Sequence, residues 1–106
     1  MNYNVVFTNS SIEDLSFLTI YEVRFTFSHE DAQNRIYKFM ESIADSLSLF
    51  PMRNPAKPYG FTDTSIRKQV IGKYAAFYWV NEETMTVHVE RVLHSKSDFS
   101  RIHFGN

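Results

Sequence analysis

Apolar and polar residues alternate at the start of the chain, over residues 3–8, in the pattern of a short β-strand. Ser10 then precedes Glu13 by the spacing of a capping box, in which the serine caps an early backbone N–H and the glutamate reaches back. This spacing predicts the start of a first helix. Its apolar face carries Ile12, Leu15 and either Leu18 or Thr19, and its end stays open, because the residues that follow fit a longer helix as well as irregular or extended chain, namely Val23, Phe25 and Phe27.

A second helix has the most regular pattern in the chain. Ser28 and Asp31 form its start signal, and apolar residues then recur at helical spacing, at Ala32, Ile36, Phe39 or Met40, Ile43 and Leu47. The other face is charged, with Asp31 four residues before Arg35, which is typical of a solvated surface with modest ion-pair support.

All three prolines fall in the segment FPMRNPAKPYGFTDT, which is interpreted as a connecting loop. Three strands follow it: SIRKQVI, KYAAFYWV and TVHVERVLH. The middle strand is apolar on both sides, which predicts a central position in the sheet, and NEET connects it to the last strand in an antiparallel hairpin. Strict alternation on the last strand assigns Val87, Val89, Arg91 and Leu93 to one face and His88, Glu90, Val92 and His94 to the other.

The elements follow the order β-α-α-β-β-β. We therefore expect an α+β fold in which two N-terminal helices pack on a twisted, mainly antiparallel four-stranded sheet. The 106 residues are expected to form a single domain, residues 1–106, and 43% of them are apolar, which is far from the composition of disordered chains.

Composition also limits the classes of function. The chain has no cysteine, no signal-peptide pattern at its start and no apolar run long enough to span a membrane, so a cytoplasmic protein with no membrane contact is expected. Its formal net charge is −1. Any contact with nucleic acid must therefore come from a local basic patch and not from the charge of the whole chain.

The candidate functional residues cluster around the end of the last strand. They are Arg91, His94, Lys96, Asp98 and Arg101. Structural roles compete with functional ones here. Arg91 equally fits a pair with a carboxylate at the edge of the core, His94 fits a hydrogen bond that pins the strand end, and Asp98 fits a cap on a short turn. His88 and His94 lie roughly 20 Å apart on a regular strand and so cannot form one catalytic pair. Neither a histidine metal site nor another cofactor is expected.

Two segments, IRKQVIGKYAAFYWV and VERVLHSKSDFSRI, together with this order of elements, resemble the RelE/ParE superfamily of bacterial type II toxin–antitoxin systems. The resemblance spans nearly the whole chain. It is most specific at Leu93 and His94 followed by Asp98, and at Arg67 ahead of the middle strand. It implies a growth-inhibiting toxin that is neutralised by a cognate antitoxin, whose amphipathic segment lays apolar residues into a groove. We therefore expect Phe39, Met40 or their apolar neighbours to be partly exposed when no partner is bound.

Members of this superfamily have two activities on one scaffold, since one branch cleaves mRNA in the ribosome and the other poisons DNA gyrase. RNA cleavage requires an acid or base and cations that stabilise a phosphorane-like transition state. If the chain is an enzyme, the resemblance implies a metal-independent endoribonuclease with catalytic candidates His94, Arg67, Lys96 and Arg91, and with Lys68 and Lys73 as further cations. The family's nucleases commonly have an arginine where this chain has Ala75. Together with the tail and the near-neutral charge, this favours gyrase slightly over the ribosome with its mRNA as the target, and an inactive antitoxin-binding module is the third alternative.

Overall fold

The computed structural model describes residues 2–58 and 65–96. The elements are β1 (Asn4–Phe7), α1 (Asn9–Thr26), α2 (His29–Leu49), a 3-10 turn (Pro51–Arg53), β2 (Lys57–Pro58), β3 (Ser65–Ile71), β4 (Tyr74–Asn81) and β5 (Thr86–His94). The predicted order is confirmed, and the two-residue strand β2 is an addition within the proline-containing loop. In this part of the chain neither helix is both long enough and apolar enough to cross a membrane.

The strands form one sheet in the order β1-β5-β4-β3-β2. β1 pairs with β5 in parallel, whereas the other neighbours are antiparallel, so the expected α+β fold with a mainly antiparallel sheet is confirmed. The parallel pair follows from the connection, because the chain between β1 and the later strands includes both helices. These helices cover one face of the sheet, where their buried residues meet those of β4 and β5 in the main core.

β4 occupies the centre of the sheet, as its apolar sequence predicts. All residues from Tyr74 to Tyr78 are buried. Tyr74, Ala76 and Tyr78 belong to the core under the helices, while Ala75 and Phe77 form a second buried cluster with Ile66. A strand that is buried on both faces needs apolar residues at every position, which explains why its sequence does not alternate.

The start of α2 agrees with its sequence signal, whereas the start of α1 does not. The Ser28 hydroxyl accepts a hydrogen bond from the Asp31 N–H at 3.2 Å. Helix α1 is capped by Thr8 and not by Ser10: the Thr8 hydroxyl accepts from the Ser11 N–H at 3.3 Å and donates to the Glu90 carbonyl at 3.2 Å. The hydrogen bond to β5 holds Thr8 at the junction of β1 and α1. A local sequence pattern cannot predict this bond, because Glu90 is distant in the chain.

The end of α1, which the sequence left open, is helical through Thr26. Phe27 follows in the left-handed conformation, with φ of 57°, and its N–H bonds the Val23 carbonyl at 2.8 Å. A residue of this conformation commonly ends a helix, although glycine is the usual choice. The side chain of Phe27 is 88% exposed.

A β-bulge in β5 contradicts the strict alternation expected for this strand. Tyr78 pairs with Val89 while Phe77 pairs with Arg91, so Glu90 is an extra residue with no partner on β4. Beyond a bulge the side chains change face. Val92 therefore joins Val87 and Val89 in the core under the helices, and Leu93 packs on the opposite face with Ile66, Ala75 and Phe77.

Of the residues expected to be partly exposed, Phe39 is buried against the sheet, whereas Met40 is half-buried and its neighbour Tyr37 is exposed, so the expectation is confirmed for these two side chains and not for Phe39. The most exposed apolar side chains within the two helices lie on α1, where Phe17 is 71% and Ile20 is 65% exposed. The apolar stripe of α2 is covered because its residues belong to the main core with those of α1, β4 and β5, whereas α1 also carries apolar residues outside that core.

Candidate functional site

An open pocket of about 430 Å³ lies at the end of β5. Helix α1 and the residues around the strand terminus form it, and its lining residues are Phe17, Leu18, Tyr21, His94 and Lys96. We call it the strand-end pocket. It contains one imidazole and one ammonium group among aromatic and aliphatic side chains, a mixture that suits an anionic ligand with a flat apolar part.

The imidazole of His94 is held in one orientation. Its Nδ1 accepts a hydrogen bond from the Lys96 backbone N–H at 3.2 Å. Its ring contacts the rings of Tyr21 and Tyr74, each with centroids 6.0 Å apart and nearly perpendicular planes. Because Nδ1 is the acceptor, the neutral ring carries its hydrogen on Nε2. The backbone bond pins the strand end, as the structural interpretation of His94 expects, and it also fixes the nitrogen that is left for proton transfer.

Arg91 has the structural pairing that the sequence left open as an alternative. Its guanidinium binds Asp14 of α1 through Nε at 2.6 Å and through a second nitrogen at 3.0 Å. The hydrogen bond to Asp14 raises the pKa of Arg91 further above its usual value. The Asp14 carboxylate also accepts a hydrogen bond from the Val92 N–H at 3.0 Å. The pairing of β1 with β5 ends at Val89, so Asp14 binds both the arginine and a backbone N–H of β5 that lies past the end of β1.

Arg67 lies away from the strand-end pocket. It donates to the carbonyls of Met52, at 3.3 Å, and Asn54 in the segment that follows α2. In the sheet register Arg67 faces Tyr78, whereas His94 faces Tyr74. Four residues along β4 and two strand spacings separate the two candidates by roughly 15 Å. Of the four catalytic candidates, the fold thus brings together only His94 and Lys96, while Asp98 and Arg101 lie outside the described residues.

His88 is separate from His94, as their spacing predicts. It stacks on Trp79, with ring centroids 4.2 Å apart and planes at 10°, and the Trp79 indole N–H donates to Glu90 at 2.8 Å. Within residues 2–58 and 65–96, no three His, Asp or Glu side chains come together as a metal ion would require.

A buried ionic cluster, which the sequence interpretation missed, lies beside the strand-end pocket. Glu22 of α1 is 1% exposed, and its carboxylate binds Lys73 Nζ at 2.7 Å and an Arg35 guanidinium nitrogen at 3.1 Å. It also accepts a hydrogen bond from the Tyr74 hydroxyl. Burial raises the pKa of Glu22, but the hydrogen bonds from Lys73, Tyr74 and Arg35 outweigh it and hold this pKa below its usual value.

One signal in the sequence points to this cluster. Glu22 follows Leu15 by seven residues, which is two helical turns, and therefore lies on the buried face of α1. A carboxylate at such a position requires a cation. The sequence does not say which one, because Arg35 and Lys73 reach it from α2 and from the β3–β4 turn.

Lys73 links the ionic cluster to the strand end. Its ammonium group lies 4.1 Å from the ring centroid of Phe25 and 5.6 Å from that of Tyr21. Its carbonyl accepts a hydrogen bond from the Ser95 N–H at 2.8 Å. The chain around His94 is therefore tied to the same turn that supplies a cation to Glu22.

Comparison with known proteins agrees with this architecture. No family model matches the sequence, and no curated protein matches it. Among solved structures, the toxin–antitoxin complex RelBE2 from Mycobacterium tuberculosis is similar, with a TM-score of 0.63 and 26% sequence identity over 89% of this chain and 99% of that chain. The chain has a RelE-type toxin fold, and the resemblance identified from the sequence is confirmed at this level.

Proposed function

We propose that this protein is a cytoplasmic, growth-inhibiting toxin of a type II toxin–antitoxin pair and is neutralised by a cognate antitoxin. The observation that carries the proposal is the similarity to the RelBE2 complex, which extends over nearly the full length of both chains. Exposed apolar side chains on α1, among them Phe17 and Ile20, support a protein partner, because surface patches of this kind commonly mark interaction sites.

Inhibition of DNA gyrase is the favoured activity. Ala75, where the family's nucleases commonly have an arginine, is fully buried between β3 and β5, so the longer side chain has no room at this position. Arg67 and Arg91 are both bound to groups of the protein itself. Fewer cations are therefore left to stabilise the transition state of RNA cleavage than a nuclease of this family would use.

A ribosome-dependent mRNA endoribonuclease is the alternative, and the strand-end pocket supports it. His94 presents an Nε2–H for proton transfer to a leaving oxygen, and Lys96 supplies a positive charge for the phosphate. Such an enzyme would act without a metal ion, since the nucleophile is the substrate's own 2′-hydroxyl.

The two activities are separated by inducing the chain without its antitoxin in bacterial cells. New RNA 5′ ends confined to translated frames, within minutes of induction, would support the nuclease. Growth arrest without such ends, together with loss of negative supercoiling of a reporter plasmid, would support gyrase as the target. Normal growth at a verified protein level would contradict the toxin and leave an inactive antitoxin-binding module.

Alanine variants test the active surface. His94→Ala, Lys96→Ala and Arg67→Ala are each expected to reduce toxicity while the chain stays folded, which thermal unfolding checks. Lys57→Ala is the matched control, because Lys57 is exposed on β2, at the other end of β3 from the Lys73 turn. Folded and fully toxic His94→Ala and Lys96→Ala variants would remove the strand end from consideration, and a folded, fully toxic Arg67→Ala would remove Arg67, which lies outside the strand-end pocket.

A further inference from the structure

A second concave site, separate from the strand-end pocket, is lined by Glu22. It has a volume of about 290 Å³ and lies between α2 and the turn that joins β3 to β4. We call it the turn pocket. The residues that give it its charge are Glu22, Arg35, Lys38 and Lys73.

The charges of the turn pocket are not balanced. Three cations face a single carboxylate, and that carboxylate is 1% exposed, so the accessible surface of the pocket is positive. Arg35 donates to Glu22 through one nitrogen only, and Lys38 is exposed and makes no ion pair with any described residue. The nearest acids on α2, Asp31 and Glu41, form no ion pair with these cations in the described part of the chain.

Glu22 arranges the cations in the absence of a ligand. Because its pKa is held below the usual value, the carboxylate is charged at neutral pH, and it binds Lys73 through one oxygen and Arg35 through the other. Lys38 lies one turn after Arg35 on the same face of α2. Gly72, which also lines the pocket, has a φ of 61°, and an added Cβ there would meet nothing within 4 Å, so the space beside the turn is open.

The positive surface extends beyond the turn pocket through Tyr21. The ring of Tyr21 lies 5.6 Å from Lys73 Nζ, 5.8 Å from the Arg24 guanidinium carbon and 6.0 Å from the His94 ring. Lys96 follows His94 at the rim of the strand-end pocket. The chain has a net charge of −1, yet several of its 11 lysines and arginines gather at this end, namely Arg24, Arg35, Lys38, Lys73 and Lys96.

We propose that the turn pocket binds a phosphate group of a nucleic-acid backbone. A guanidinium and two ammonium groups around one open cavity match the charge and hydrogen-bonding of a phosphate. The spread of further cations past Tyr21 matches a polyanion with several phosphates better than it matches one small anion. Exposed aromatic rings beside these cations, Phe17 and Phe25, provide surfaces on which bases can stack. The proposal goes beyond the toxin function and does not depend on it.

Fluorescence anisotropy with a labelled 12-nucleotide single-stranded DNA of mixed sequence tests this pocket in the purified full chain. DNA has no 2′-hydroxyl, so the alternative nuclease cannot cut the probe, and failure of binding is distinct from failure of the toxin proposal. Lys38→Gln is the main variant, because Lys38 is exposed and forms no ion pair within residues 2–58 and 65–96 that the change would break. Lys38→Arg preserves the charge, and Lys57→Gln is the control far from the pocket.

We expect Lys38→Gln to lower affinity about fivefold at 0.1 M salt, because one single-strand phosphate contact contributes a slope of about 0.7 in log K against log salt. The slope itself should fall by about 0.7, while Lys38→Arg and Lys57→Gln should bind as the natural chain does. Equal losses in Lys38→Gln and Lys57→Gln would overturn the proposal. A Lys38-dependent site that binds polyglutamate or inorganic phosphate but not the oligonucleotide would overturn it as well.

Discussion

Replacing Glu22 by glutamine tests the buried ionic cluster most directly. The change removes one negative charge with almost no change in shape. Its amide oxygen can still accept a hydrogen bond from the Tyr74 hydroxyl, whereas Lys73 and Arg35 lose their counter-charge. Because these two side chains are 39% and 56% exposed, both can turn toward water.

The size of the effect follows from these exposures. Ion pairs with partly exposed partners contribute about 0.5–1 kcal/mol each, and replacing a charged acceptor by a neutral one weakens the Tyr74 bond by about 1 kcal/mol. Part of this is offset because the amide is less costly to bury than the carboxylate. We expect Glu22→Gln to lower the free energy of unfolding by about 2 kcal/mol at pH 7. Glu22→Ala should cost more, since it also leaves the buried Tyr74 hydroxyl without its acceptor.

The loss should depend on pH with a defined sign. The pKa of Glu22 is lowered in the folded state from an ordinary value of 4.5. Its contribution to stability is therefore complete above pH 4.5 and is lost as the pH falls through the lower folded-state pKa. The difference between the natural chain and Glu22→Gln should accordingly be largest at neutral pH and should shrink in acid.

Urea unfolding, followed by the fluorescence of the single tryptophan, Trp79, measures this difference at pH 7 and pH 3. A loss of about 2 kcal/mol corresponds to a midpoint shift of about 1–2 M urea for a chain of this size. Tyr74→Phe serves as the partner variant, because it removes the hydroxyl and keeps the carboxylate. A loss below about 0.5 kcal/mol, or an equal loss at both pH values, would refute the argument that a charged Glu22 stabilises the fold.

Four further variants test contacts elsewhere in the fold by the same urea assay. Asp14→Ala should destabilise by about 3 kcal/mol, because it leaves Arg91 partly buried without its carboxylate, and a loss below about 1 kcal/mol would contradict this pairing. Thr8→Ala should cost about 1 kcal/mol and Ser10→Ala less than about 0.5 kcal/mol, an order that reverses if Ser10 caps the helix. Phe27→Gly should stabilise by about 0.5–1 kcal/mol, since it relieves a left-handed residue whose side chain is exposed; a destabilised variant would mean that Phe27 packs in the native state.

Elements with a strong local pattern were predictable. The stripe of α2 from Ala32 to Leu47 is buried as its spacing indicates, and Ser28 caps this helix. The sequence of β4 places it at the centre of the sheet because a strand covered on both faces has no polar positions. Helix spacing and strand alternation are properties of short segments, and such segments can be interpreted without knowing what lies beside them.

The composition of the site was much less predictable. His94 and Lys96 line the same pocket because they are only two positions apart in the chain, and this proximity also made them predictable as a pair from the sequence. Arg91 and Asp14 are 77 positions apart, and Glu22 and Tyr74 are 52 apart, so only the packing of α1 against the sheet brings each pair together.

The sequence by itself determined the order of the elements, the burial of α2 and β4, and the resemblance to a toxin superfamily. Tertiary structure alone decided the bulge at Glu90, the cap at Thr8 and the gathering of cations around Glu22. The physical reason is the range of the interactions. Hydrophobic periodicity acts within one element, whereas a bulge, a cross-element cap and an ion pair each depend on a partner in another element, whose position is set only when the strands pair and the helices dock on the sheet.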